Sequence, residues 1–215
     1  MLPERLQQGY QAFLDGRFPS ERSRYKRLGE KGQQPNTMVI GCCDSRVSPE
    51  AIFDVGPGEL FVARNVANLV PPYEPDTDSY HGVSADIEFA VNGLNVEHIV
   101  VLGHASCGGI GAFYDSAQPL AKGDFIGKWM SQIAPVADKL DRNAGDRKAN
   151  IRALEMAVVG HSIQNLMTFP YISQRVQAGT LQLHGAYFGV ATGLLFILDP
   201  ETGEFSPCVD VTLDE

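Results

Sequence analysis

Two short segments hold the residues with the most chemical potential. One is Cys42-Cys43-Asp44-Ser45-Arg46 and the other is His104-Ala105-Ser106-Cys107-Gly108-Gly109. One cysteine from the first segment, with the histidine and the cysteine from the second, makes two thiolates and an imidazole. That donor set suits zinc. Three protein ligands leave the fourth position open, as in catalytic rather than structural zinc sites. A structural site wants four firm ligands, and Cys208, the only distant candidate, sits near an acidic C-terminus. Asp44 and Arg46 are two residues apart and able to form a directed carboxylate–guanidinium pair. Such a pair keeps Asp44 charged at neutral pH and orients its oxygens. An oriented carboxylate beside an open zinc position suits deprotonation of water, whose pKa zinc lowers to about 7.

Each segment must be placed by an element that ends where it begins. Met38-Val39-Ile40 is a short apolar run closed by Gly41, and Ile99 to Leu102 is another closed by Gly103. Both read as buried strands with a candidate segment at the C-terminal end, where sites assemble in parallel α/β sheets. Leu60-Phe61-Val62 reads as a strand after the Gly56-Pro57-Gly58 turn, and Leu181–His184 and Leu194–Ile197 read as later strands. Helical spacing predicts helices over 83–94, 124–140 and 147–168, the last ended by Pro170. An amphipathic helix is predicted over 3–16, ending near Gly16, with 17–35 as an irregular or partly helical connection. Alternating strands and helices define the fold class as α/β, a mainly parallel sheet flanked by helices, with an N-terminal helical arm. The expected division is an arm over 1–35 and a zinc-binding catalytic unit over 36–215, one structural domain in all.

Composition limits the alternatives. Hydrophobic residues make up 44% and charged residues 20% of 215 positions, enough for a sizeable core without disulfides. The net charge of −9 comes from scattered acids, and the basic run from Arg22 to Lys31 fits one face of a helix, so nucleic acid is not an expected partner. No apolar stretch approaches the roughly 20 residues of a bilayer span. The N-terminus lacks a signal-peptide pattern, and a cytoplasmic protein is expected. Four cysteines in such a chain are expected to be buried, metal-bound or catalytic rather than paired. Cys43, beside Cys42 on an extended strand end, is expected to point the other way, and Cys208 to be structural or free. His81, His98, His161 and His184 have no partner spacing and read as surface or hydrogen-bonded histidines.

The Cys-x-Asp-Ser-Arg and His-x-x-Cys-Gly-Gly segments and their separation resemble the β-class carbonic anhydrases. So do Arg64–Asn68 between them, Gly82–Val91 and Leu181–Tyr187, covering most of residues 30–190. The run Asn68–Tyr73 and Gln33 are similar to the plant-like branch. The resemblance implies Cys42, His104 and Cys107 as ligands of one Zn2+ per chain, and Asp44 and Arg46 as the catalytic dyad. It implies carbon dioxide and bicarbonate as substrate and product. The implied pocket is Phe61, Val66 and Phe89, with Gln33 reaching in from a neighbouring subunit and Gly108 offering a backbone N–H. It also implies an arm that wraps a second subunit, hence a homodimer or a tetramer built as a dimer of dimers. Two departures matter: Phe89 stands where the plant-like branch often has Tyr, and Val39 where another branch has a Trp in a bicarbonate-inhibited site, which is therefore expected to be absent although Arg64 remains.

Rival readings stay open. Relatives in the resembled family hydrolyse carbonyl sulfide or carbon disulfide on the same scaffold. A zinc-stabilised structural module would need Asp44 to close the fourth position. A zinc-free Cys–His hydrolase built on Cys107 and His104 would leave Cys42 and Asp44 without a role.

Overall fold

A computed structural model describes residues 1–75, 78, 80–115, 125–141 and 143–210. Its strands are β1 (Thr37–Cys42), β2 (Leu60–Asn65), β3 (His98–His104), β4 (Gln182–Phe188), β5 (Leu195–Leu198) and β6 (Phe205–Pro207). They form one sheet in the order β2-β1-β3-β4-β5-β6. The first four are parallel, and β5 and β6 add antiparallel pairings at one edge. The short β6 is absent from the sequence reading because Phe205-Ser206-Pro207 has no apolar run to mark it.

The central strands are covered on both faces, as a parallel sheet requires. Met38 and Ile40 of β1 enter one core cluster with Ile99 and Val101 of β3, while Val39 packs with Leu102 and Ala186 in another. The chain goes from β1 outward to β2, then crosses back to β3 on the other side of β1. The C-terminal ends of β1 and β3 therefore flank a topological switch point, the place where open α/β sheets leave a crevice.

The helices are α1 (Glu4–Ala12), α2 (Phe18–Lys31), α3 (Pro49–Ile52), α4 (Gly82–Glu88), α5 (Gly108–Tyr114), α6 (Phe125–Met130), α7 (Ala134–Ala137), α8 (Arg147–Leu166) and α9 (Pro170–Gln177). The predicted break near Gly16 is not there. A π-turn over Phe13–Arg17 joins α1 to α2, and the helix continues to Lys31. Pro19 has no N–H and would crowd the preceding turn of a regular helix. A widened turn, in which Phe18 N–H donates to Phe13 O, relieves this. The helix expected over 124–140 is instead α6, a 3-10 turn and α7, with Pro135 in the first turn of α7; position 124 lies outside the described residues. Pro170 opens α9 rather than only closing α8.

The long helix α8 matters most for the site. The Asp146 carboxylate accepts from Ala149 N–H at 2.8 Å and caps its start. Ile151, Leu154, Glu155, Val158, Val159, Ser162, Asn165 and Leu166 are buried at helical spacing. The helix lies close on β3 and β4 because Gly103 and Gly185 face it. A Cβ on Gly103 would lie 2.5 Å from Val159 Cγ2.

Candidate metal centre

Cys42 ends β1, His104 ends β3, and Cys107 immediately precedes α5. Their donor atoms all lie within 4.8 Å of one another, and all three residues are buried. His104 Nδ1–H donates to Ala105 O at 3.0 Å, which fixes the tautomer and leaves Nε2 as the lone-pair nitrogen. That Nε2 is buried with no hydrogen-bond partner among the described residues. A buried acceptor left bare beside two sulfurs is what a metal ligand looks like without its ion, since burial without a partner is otherwise costly. The donor set fits zinc.

The Cys42 thiol is lowered to about 4, chiefly by a hydrogen bond from Cys107; burial opposes this, and His104 and the N–H groups of Asp44 and Ala67 assist. Cys107 is pushed up by the same hydrogen bond and by burial. Burial pulls His104 down, but the Cys42 sulfur outweighs it, and the net direction is up.

Asp44 is held as the sequence spacing predicts. Oδ1 accepts from Arg46 N–H at 3.0 Å and Arg46 Nε at 2.9 Å, and Oδ2 accepts from Arg46 Nη2 at 2.6 Å. This bidentate grip, first among the causes, holds the carboxyl well below the usual range. Arg46 Nη2 also donates to Ser106 O at 3.0 Å, tying the first segment to the second. Asp44 Oδ2 lies 4.0 Å from His104 Nε2, so an anionic oxygen stands beside the donor cluster.

Around this centre are supports the sequence reading missed. Glu155, in the middle of α8, is 2% exposed. Its Oε1 accepts from Cys107 N–H at 2.8 Å and its Oε2 from Tyr187 OH at 2.7 Å. Burial pushes its carboxyl up. Arg64, noted before only as part of a motif, clamps the first segment by donating to Cys42 O at 2.8 Å and Asp44 O at 2.7 Å. Ala67, at a left-handed φ of 67°, points its N–H at Cys42 Sγ, 3.4 Å away. Ser162 and Asn165 of α8 hold this turn through Asn68 O, Val70 N and Val70 O. The signal that could have found Glu155 is its place on the apolar face of α8.

The expected pocket is not brought together within one chain, because Phe61 stands opposite Met38 on β1 while Cys42 stands opposite Asn65, and Val66 packs with Cys42 in a different cluster. Phe61 and Phe89 have ring centroids 5.7 Å apart, with Phe89 53% exposed. Val66 lines a cavity of about 500 Å3 with Cys43 and Trp129, and Gly108 is exposed at the start of α5. Gln33 is exposed between α2 and β1, and no hydrogen bond joins it to the centre among the described residues. Cys43 is exposed, turned away from buried Cys42 as expected, and Cys208 is free. His98 and His184 contact each other at 3.1 Å, a pairing the sequence did not reveal.

Fold and site together define an α/β protein with a buried Cys-His-Cys centre, a carboxylate–guanidinium pair at its side, and three candidate ligands. The chain belongs to the carbonic anhydrase family, whose profile matches residues 37–195. It is 36% identical over 189 residues to Beta carbonic anhydrase 5, chloroplastic, of Arabidopsis thaliana, covering 85% of this chain and 60% of that protein's length. The solved structure of the beta-carbonic anhydrase CcaA superposes with a TM-score of 0.86 at 29% identity, covering 96% of this chain and 92% of that one. Tetrameric beta-carbonic anhydrases of Sordaria macrospora include one at TM-score 0.77 and 30% identity, covering 90% and 94%. These relatives put the chain in the β class.

Proposed function

We propose that this chain catalyses the reversible hydration of carbon dioxide to bicarbonate and a proton, with one zinc held by Cys42, His104 and Cys107. The observation that carries the reading is the Arg46 grip on Asp44 beside the bare His104 Nε2. Zinc bound there supplies Lewis acidity that brings the pKa of water toward neutrality. Asp44, kept ionised by Arg46, would accept a hydrogen bond from water at the metal and orient it. Arg46, anchored also on Ser106 O, holds the carboxylate in its own grip, so Asp44 would stand beside zinc rather than serve as a ligand. Val66, packed in the same cluster as Cys42 and Cys107, offers an apolar wall for a linear, uncharged substrate, and Gly108 N–H offers a donor to its oxygen. The proton leaves to solvent or buffer.

We further propose that the arm of α1 and α2 lies on a second copy, bringing Gln33 toward the partner's site. The tetrameric relatives and the bare surface of the arm support this.

Stopped-flow hydration of carbon dioxide from neutral to alkaline pH, on protein of measured zinc content, tests the first proposal. Wild type with about one zinc per chain is expected to be active. Asp44→Asn is expected to keep its zinc and lose about 100-fold or more in kcat, the range of a lost general-base contact. Cys107→Ser is expected to lose zinc and activity together. Zinc-replete wild type with no turnover on carbon dioxide, but turnover on carbonyl sulfide, would reassign the reaction.

A further inference from the structure

A crevice of about 670 Å3 runs between the first half of α8, α5 and the loop joining β4 to β5. Its size falls within the roughly 300–1,000 Å3 of small-molecule sites. The apolar lining comes from Ile151, Val190, Leu194 and the rings of Tyr187 and Phe196. Four cations, Arg46, Arg147, Lys148 and Arg152, line it against two carboxylates, Asp115 and Glu155. This is a local positive excess in a chain of net charge −9.

Two of those cations are paired within the protein, Arg46 with Asp44 and Arg147 with Asp115. Among the described residues no carboxylate pairs with Lys148 or Arg152. The Arg152 guanidinium lies over Tyr187 and Phe196, 5.9 Å and 5.5 Å from the ring centroids, so it is held at the edge of the apolar lining. Arg147 and Lys148 occupy the first turn of α8, which contains no acidic residue. Positive charge is disfavoured there, because the helix N-terminus is itself positive. Asp115 offsets Arg147 and the Asp146 cap accepts from Ala149 N–H, which leaves Lys148 and Arg152 as the cations at the mouth of the apolar crevice with no carboxylate partner among the described residues. An anion between them relieves both.

We propose that this crevice binds an organic monoanion, a carboxylate or sulfonate with an apolar body about the size of a naphthyl group. The charged end meets Lys148 and Arg152 at the start of α8, and the body lies on Ile151, Val190 and Leu194. Bicarbonate is too small to fill it. Cys42, Asp44, His104, Phe61, Val66 and Phe89 are absent from its lining, so the site differs from the one proposed for hydration. It shares Arg46, Cys107 and Gly108 with that site, along a common wall.

The probe is 2-naphthoate, with neutral naphthalene-2-carboxamide as control, titrated calorimetrically into the zinc-loaded protein. Amide shift mapping on the same sample locates the probe. The expected result is binding of the carboxylate at least about tenfold tighter than the amide, the scale of one charge-assisted contact. Shifts are expected at Gly111, Ala112 and Val190–Leu194. Lys148→Glu places an acid where the helix field favours one, so it keeps the fold, and is expected to weaken 2-naphthoate about tenfold or more. Equal affinity for carboxylate and amide overturns the proposal, as does undiminished binding by Lys148→Glu. Shifts centred on Asp44 and Val66 also overturn it, by placing the carboxylate at the metal centre.

Discussion

Glu155 joins two positions far apart in the chain, Cys107 and Tyr187, through the two oxygens of one buried carboxylate. The bond to Cys107 N–H fixes the backbone that presents a candidate ligand, and such outer supports tune metal affinity by about 10–100-fold. Glu155→Ala leaves that N–H and the Tyr187 hydroxyl unpaired in the interior. Zinc affinity, read by competition with a chromophoric chelator, is expected to fall within that range. Glu155→Gln, which can still accept from Cys107 N–H, is expected to lose less. An unchanged affinity in the alanine variant would remove Glu155 from the site. Ser106, with a left-handed φ of 58°, is under local constraint, as Ala67 is. It turns the chain so that its carbonyl meets Arg46 while Cys107 turns inward.

At the scale of elements, the site depends on how closely α8 lies on the sheet. Glu155 reaches the centre because the helix seats on glycines of β3 and β4. Gly103→Ala drives a methyl into Val159, at 2.5 Å before any relaxation. The expected loss is about 1–3 kcal/mol of stability, the usual cost of overpacking. Urea melts measure it, and a midpoint equal to wild type would mean that α8 has room to move away. The same helix holds the Asn68–Val70 turn through Ser162 and Asn165, so one element supports both sides of the candidate ligand cluster.

At the scale of the molecule, α1 and α2 carry no buried residue, and Leu6 and Tyr10 are 57% and 61% exposed. The arm is tied to the rest near its C-terminal end, where Arg24 pairs with Glu59. A helix with no fully buried residue has little to hold it in water, because tertiary packing supplies most helical stability. A second copy covering the arm answers this. Sedimentation at micromolar concentration is expected to give a dimer or a larger even-numbered assembly. Leu6→Asp combined with Tyr10→Asp is expected to shift it toward monomer. A monodisperse wild-type monomer would refute the shared-arm arrangement.

Sequence by itself determined the parts of this protein whose logic is local. The apolar runs and their closing glycines announced β1 and β3, so the two chemical segments could be set at neighbouring strand ends. Asp44 and Arg46, two residues apart, could hardly avoid each other. Only the tertiary structure decided the rest. A glutamate on a helix reads as solvated by residue type alone, so Glu155 is easily passed over even though its spacing from Ile151 and Val158 sets it on the apolar face. Arg64 read as a motif residue until the fold brought it to the carbonyls of Cys42 and Asp44. The π-turn before Pro19 replaced a predicted helix end, because a proline's clash can be relieved by widening a turn as well as by stopping the helix. These outcomes depend on contacts between distant positions, whose free energy is settled by packing and desolvation rather than by neighbouring residue types.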